Sequence, residues 1–357
     1  MQRLRHAHGD CLPLPSTPQG PEQVHCFDQR EIDAVHAALA ARRPLLLRGE
    51  PGVGKTQLAK AVALDLQRVL LPQVIDIRTE ARDLLWHFDA VGRLADAQLR
   101  GALPAAKQGQ GTNTDQDSAQ PASGDASADQ PGSAGQDKAI ADPSVLLRQA
   151  LAVDHYLHPR ALWWAFDWAD ALARAKRQQL PTPPIMDGCD PANGAVVLID
   201  EIDKAEVDVP NGLLEALGDG CFTPQGMTEP IRIQGEAPLV IITTNEERAL
   251  PDAFLRRCLV LYLSLPAGTT ELTEHLMRRG RAHFPEVAEQ VLREAALQLI
   301  DDRTRARQQR LRPLPGQAEY LDLVRAVSQL ASDTEAQLDL LKRLRPYVLA
   351  KHQGSVE

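Results

Sequence analysis

The stretch Gly49-Glu50-Pro51-Gly52-Val53-Gly54-Lys55-Thr56 most constrains what this chain can fold into. It fits the spacing G-x-x-x-x-G-K-[ST], which works between a buried strand and the first turn of a helix. Both flanks agree. Arg43-Pro44-Leu45-Leu46-Leu47-Arg48 is an apolar run of strand length, and Gln57 to Leu71 carries Leu58, Ala61, Val62, Leu66 and Val69 at helical spacing. A strand, a Gly-rich turn and a helix N-terminus aim backbone N–H groups and the positive end of a helix dipole at one point. Phosphate suits that point. Lys55 is placed to reach β- and γ-phosphates, and the Thr56 hydroxyl to bind Mg²⁺. Gly49 through Thr56, with Gln57 opening the helix, form the expected nucleotide-binding set.

A second apolar run, Ala195-Val196-Val197-Leu198-Ile199, reads as a strand buried on both faces of a parallel sheet. It ends in Asp200-Glu201, at the sheet edge where ligands of open α/β folds bind. Asp200 suits a hard cation such as Mg²⁺. Glu201 suits orientation and activation of an attacking water. A third run, Pro238 to Thr244, ends at the amide Asn245. Beyond it, Ala253-Phe254-Leu255-Arg256-Arg257-Cys258 precedes a fourth, Leu259 to Leu263.

In the order GEPGVGKT, VVLIDEIDKA, ITTNEE, DAFLRRC, the chain resembles the AAA+ ATPases, and more narrowly their MoxR-like branch. The resemblance spans roughly residues 28–330. It implies a parallel α/β core over 28–265 and a small α-helical lid over 266–357, with ATP and Mg²⁺ as cofactors. It assigns the four segments as Walker A loop, Walker B strand, sensor 1 (Asn245) and arginine finger. Arg257 matches the finger most closely, with Arg256 the neighbouring candidate; the family supplies this group in trans to the next subunit's nucleotide. A homo-oligomeric ring, a hexamer by resemblance, follows. So does chaperone-like remodelling of a partner protein, such as one with a von Willebrand A domain. Arg312 stands about where the family keeps sensor 2, although Leu311 to Gly316 departs from the usual pattern. Phe222 to Ile233 resembles the hairpin this branch places near the ring pore.

Composition narrows the alternatives. A net charge of −9 over 357 residues opposes broad electrostatic binding to nucleic acid, though not a local basic channel. Five cysteines without a CxxC pair argue against a disulfide framework. No run reaches 18 apolar residues and the N-terminus lacks a signal-type apolar region, so a cytoplasmic protein is expected. His6 and His8 near Cys11 read as part of a flexible N-terminal segment, 1–27, rather than a metal site. Residues 105–143, rich in Gln, Ser, Asp, Gly and Ala, read as a disordered insert.

Further elements are expected. Val74 to Ile77 reads as a strand, Arg82 to Leu99 as a helix, and Trp163, Trp164 and Trp168 as core or interface packing. Helices are expected over Glu271–Arg281, Glu286–Ile300, Glu319–Leu330 and Ala336–Arg345, with Pro346 ending or kinking the last. Arg303, Arg305, Arg307 and Arg310 read as a solvated basic face. Two rival functions stay open: a nucleic-acid motor or GTP-using subunit of a modification-dependent nuclease, and a nucleotide-gated scaffold.

Overall fold

The computed structural model describes residues 2–15, 23–108 and 151–349. Its centre is a sheet of five strands: β3 (Leu45–Arg48), β4 (Val69–Val74), β7 (Ala195–Asp200), β10 (Leu239–Thr244) and β11 (Leu259–Tyr262). They lie in the order β11-β3-β10-β7-β4, every neighbouring pair parallel. Period-2 alternation divides the apolar residues of the central strands between two cores. Leu45, Leu47, Val196, Leu198, Leu239 and Ile241 face one way. Leu46, Val197, Ile199, Val240 and Ile242 face the other. Helices cover both faces, which is why these strands are apolar throughout.

On the first face lie α1 (Gln29–Ala41) and α2 (Lys55–Asp65), the latter burying Leu58, Ala61 and Val62. On the second lie α4 (Ala161–Phe166), α5 (Trp168–Gln178) and α6 (Asp208–Asp219). Trp163 is fully buried there and its indole N–H donates to Asp170 at 2.9 Å, while Trp164 and Trp168 meet edge to face. The tryptophan cluster is core packing. Two short antiparallel pairs flank this face: β5 (Trp86–Phe88) with β6 (Leu157–Pro159), and β8 (Cys221–Phe222) with β9 (Ile231–Arg232).

After the sheet the chain is helical: α8 (Thr269–His283), α9 (Glu289–Gln308), α10 (Gln317–Leu330) and α11 (Thr334–Val348). They enclose a third core of Leu276, Val291, Leu299, Tyr320, Val324 and Leu341. Pro346 does not end α11, which continues to Val348. A proline this near a C-terminus removes one N–H but disturbs little helix beyond it.

Several expectations are corrected. The helix after the Gly-rich loop stops at Asp65, not Leu71. Gln67 takes a left-handed conformation (φ 55°), and buried Arg68 donates to Gln2 at 2.8 Å and Ala237 O at 3.0 Å, which turns the chain. Val69 and Leu71 therefore belong to edge strand β4, and the run Val74–Ile77 falls mostly past its end. Asp89 then divides the expected helix over 82–99. Its carboxylate accepts from Gly92 N–H at 2.8 Å and opens α3 (Ala90–Gln108) behind β5. Residues 105–108 are the last turn of α3; the rest of the expected insert, 109–143, lies outside the described residues.

The N-terminal residues differ too. β1 (Cys11–Leu14) pairs antiparallel with β2 (Gln23–Cys26), and Cys11 and Cys26 form a disulfide. Leu4, Leu14 and Phe27 join the first core. Arg5 N–H donates to Asp65 at 2.6 Å, and the His6 ring meets the same carboxylate. A few apolar anchors in polar, Pro-rich text dock residues 2–15 and 23–27, while residues 1 and 16–22 of the expected flexible segment lie outside the described residues. Among the described residues no helix is long and apolar enough to cross a membrane, and no cluster of His, Cys, Asp and Glu could hold a metal ion by itself.

Candidate functional site

Parallel register assembles the site. Thr244 of β10 stands beside Arg48 of β3, and Ile242 beside Ile199 of β7. The C-terminal ends of three adjacent strands therefore present the Gly-rich loop, Asn245 and Asp200-Glu201 side by side. They border a cleft of about 310 Å³, whose floor is Pro51, Gly52, Gly54, Lys55, Thr56 and Gln57. Asp200, Glu201 and Asn245 form its wall, and Gln317, Ala318 and Leu321 from the start of α10 form its roof.

The loop's glycines answer to steric demands. Gly49 has φ 147°, and a Cβ there would lie 2.1 Å from Leu263 O, just past β11. Gly52 has φ 77°, and its Cβ would lie 3.0 Å from that of Ala318, so the lid rests on the loop. α2 begins at Lys55 with no side-chain cap and no acidic residue in its first turn. Its amides and dipole thus face the cleft without a competing acceptor.

Lys55 is 7% exposed and sits at the centre of this arrangement. Its Nζ donates to Gly49 O at 2.7 Å, Glu50 O at 3.0 Å and Asn245 Oδ1 at 2.7 Å. Burial pushes its pKa below the usual lysine value, while Asp200, Asp203, Glu246 and Glu201 push it back up. The ammonium therefore sits in a desolvated place ringed by carboxylates and lying against backbone carbonyls.

Thr56 Oγ1 lies 3.1 Å from Asp200 Oδ2. A hydroxyl and a carboxylate at that spacing are hard oxygen donors that fit Mg²⁺ when phosphate oxygens and waters complete its shell. Thr243, one strand over, fixes this carboxylate: its hydroxyl donates to Asp200 Oδ1 and accepts the Glu201 N–H at 3.0 Å. Glu201 itself has φ 63°, uncommon for a residue with a side chain. Its carboxylate is held at both oxygens, by Lys204 Nζ at 2.5 Å and Asn245 Nδ2 at 3.4 Å.

The structure brings Lys55, Thr56, Asp200, Glu201 and Asn245 together. Val53 packs between the sheet and lid cores instead of lining the cleft. Glu50 turns its side chain toward the lid, to Arg303. Arg256 and Arg257, just after α7 (Asp252–Leu255), are exposed and outside their own chain's cleft. Arg43 holds their backbone: its guanidinium donates to Arg257 O at 3.0 Å and to Arg256 O. Arg312 is exposed and does not line the cleft; the lid residues that do are Gln317, Ala318 and Leu321. Gln317 is oriented by His275, whose Nε2 donates to its Oε1 at 2.9 Å. Thr243 and these three lid residues carry no motif; Thr243, as the residue abreast of Asp200, can be found once the strands are aligned.

No family model and no curated protein matches the chain. Among solved structures it is similar to a point mutant of RuvB from Thermotoga maritima, at 15% identity and a TM-score of 0.41. The match covers 89% of this chain and 69% of that one.

Proposed function

We propose that this chain is a Mg²⁺-dependent ATPase of the AAA+ type, allied to the MoxR-like branch, acting as a ring on a partner protein. One observation carries the hydrolytic part. A buried lysine in a Gly-rich loop at a helix N-terminus shares one cleft with a Thr–Asp pair and a carboxylate held at both oxygens.

Lys55 and the first-turn amides of α2 bind the polyphosphate; Lys55 exchanges its carbonyl partners for phosphate oxygens. Thr56 and Asp200 would hold Mg²⁺, which would neutralise charge on the phosphates. Thr243 keeps Asp200 in place for that role. Glu201 orients the attacking water and accepts its proton, and Asn245 positions both Glu201 and the water near the γ-phosphate. Lys204 steadies the Glu201 carboxylate. Arg257, or its neighbour Arg256, enters the next subunit's cleft and stabilises transition-state charge. Its exposure, and the grip of Arg43 on its backbone, support a role outside its own subunit. A partner with a von Willebrand A domain, and hexamers as the ring, follow from the sequence resemblance.

Phosphate release from ATP, measured with Mg²⁺ and then with chelator, tests the reading. Turnover that requires Mg²⁺ and rises with protein concentration is expected. Mixing Arg257→Ala with Lys55→Ala subunits should restore part of it, because the first keeps an intact pocket and the second an intact finger. No rescue in oligomers shown by mass to be mixed would overturn the shared site. A several-fold stimulation by DNA or RNA at physiological salt would favour the motor reading instead.

A further inference from the structure

Of the four arginines that read as one solvated basic face, three are exposed: Arg305, Arg307 and Arg310. Arg303 is not. It projects from α9 into the junction between lid and loop and is 3% exposed. Its Nη1 donates to Pro315 O at 2.8 Å, in the turn that leads into α10. Its Nη2 meets the Glu50 carboxylate at 2.5 Å, in the Gly-rich loop. A guanidinium buried so fully is costly unless its charge is paired, and Glu50 supplies the pairing carboxylate.

Both ends of this contact adjoin residues that line the cleft. The backbone carbonyl of the same Glu50 accepts from Lys55 Nζ at 3.0 Å. Pro315 lies two residues before Gln317, the first residue of α10 and of the roof. A planar guanidinium can bridge two acceptors at once, which a solvated cation would not need to do. We infer that Arg303 is a positioning residue for nucleotide binding, a strut tying the lid's roof-forming turn to the phosphate-binding loop while neutralising the Glu50 side chain of that loop. This rests on the nucleotide reading above and extends it to regulation of the same cleft: lid orientation and loop occupancy are coupled through one ion pair.

The strut has a signature that simple packing lacks. Arg303→Gln leaves the Glu50 carboxylate unneutralised in the phosphate-binding loop and frees that loop from the lid, so ATP binding should weaken about tenfold or more, the size expected for one charge-assisted contact. Glu50→Gln alone breaks the same ion pair but removes the negative charge with it, and its affinity is the baseline against which the double variant is read. The double variant removes the orphan carboxylate and should recover most of the loss, a non-additivity that marks residues acting as a pair. Arg303→Lys, which keeps the charge but not the two-acceptor bridge, should fall between wild type and Arg303→Gln; it also serves if Arg303→Gln does not fold.

The experiment is equilibrium titration of ATP into all five full-length proteins, with melting curves to verify folding. Rescue by Glu50→Gln is the expected result. Additive losses, or an Arg303→Gln or Arg303→Lys protein that binds like wild type, would overturn the inference while leaving the nucleotide reading intact. A wild-type protein that binds no ATP would overturn both.

Discussion

Glu201→Gln separates chemistry from binding and folding more cleanly than any other change in the cleft. The amide keeps the size of the side chain, so the backbone at φ 63° and the contact with Asn245 persist. Lost are the negative charge and the basicity. The ion pair with Lys204 goes too, but both of its side chains are a third or so open to solvent, so the melting temperature should stay close to wild type. ATP affinity should stay within about threefold, because Lys55, Thr56 and Asp200 are untouched. Turnover should fall by about 10²–10⁴, the usual contribution of a positioned general base. That corresponds to about 2.7–5.5 kcal/mol on the barrier. Single-turnover phosphate release, run beside a binding titration and a melting curve, reads all three. Normal turnover would show that Glu201 does not activate water. Loss of affinity matching the loss of turnover would show that it acts in binding instead.

Other changes test separate parts of the structure. Gly49→Ala places a Cβ 2.1 Å from Leu263 O at φ 147°, so we expect about 1–3 kcal/mol of destabilisation in urea melts, together with lost ATP binding. Arg43→Ala removes the donors to the carbonyls of Arg256 and Arg257; ATP should bind normally while turnover drops, with recovery when Lys55→Ala subunits supply intact fingers. Burial pushes the His283 imidazole from the ordinary 6.5 down to about 4; a backbone hydrogen bond at Val24 opposes this, and the charges of Arg325, Arg279 and His25 add to it. The unfolded chain therefore takes up a proton that the fold does not. Stability should be full above about pH 6.5 and fall as pH drops toward 4. Urea midpoints at pH 7 and pH 5 should differ less in His283→Gln than in wild type.

What can be read directly from the sequence is written in consecutive residues. The loop Gly49–Thr56, the strand ending in Asp200-Glu201 and the strand ending before Asn245 each carry their own local code. Three parallel strands bring them together with no further information needed. Val69 misleads, because Leu66 and Val69 fit a helical stripe as well as they fit a strand. The deciding features, a left-handed Gln67 and a buried Arg68 bonded to Gln2 and Ala237, are tertiary. Docking of the N-terminal segment depends on Leu4, Leu14 and Phe27 finding α1 and α2, which composition alone hides. Arg303 illustrates the limit of charge patterning. Four arginines within eight positions look alike, and only packing of α9 against the loop buries one of them. The lid's roof is equally silent, since Gln317, Ala318 and Leu321 matter through position, not type.

The central claim is that Lys55 organises a nucleoside triphosphate site, and titration of ATP into wild type and Lys55→Ala tests it most directly. In the structure the Lys55 ammonium is held by Gly49 O, Glu50 O and Asn245 Oδ1, poised at the mouth of α2. Its charge-assisted contacts to phosphate should contribute about 10- to 100-fold in affinity or more. We predict saturable binding of one ATP per wild-type chain and a loss of at least that size in Lys55→Ala, with its fold unchanged by circular dichroism. Equal binding by the two proteins, or no binding by wild type, would contradict the account.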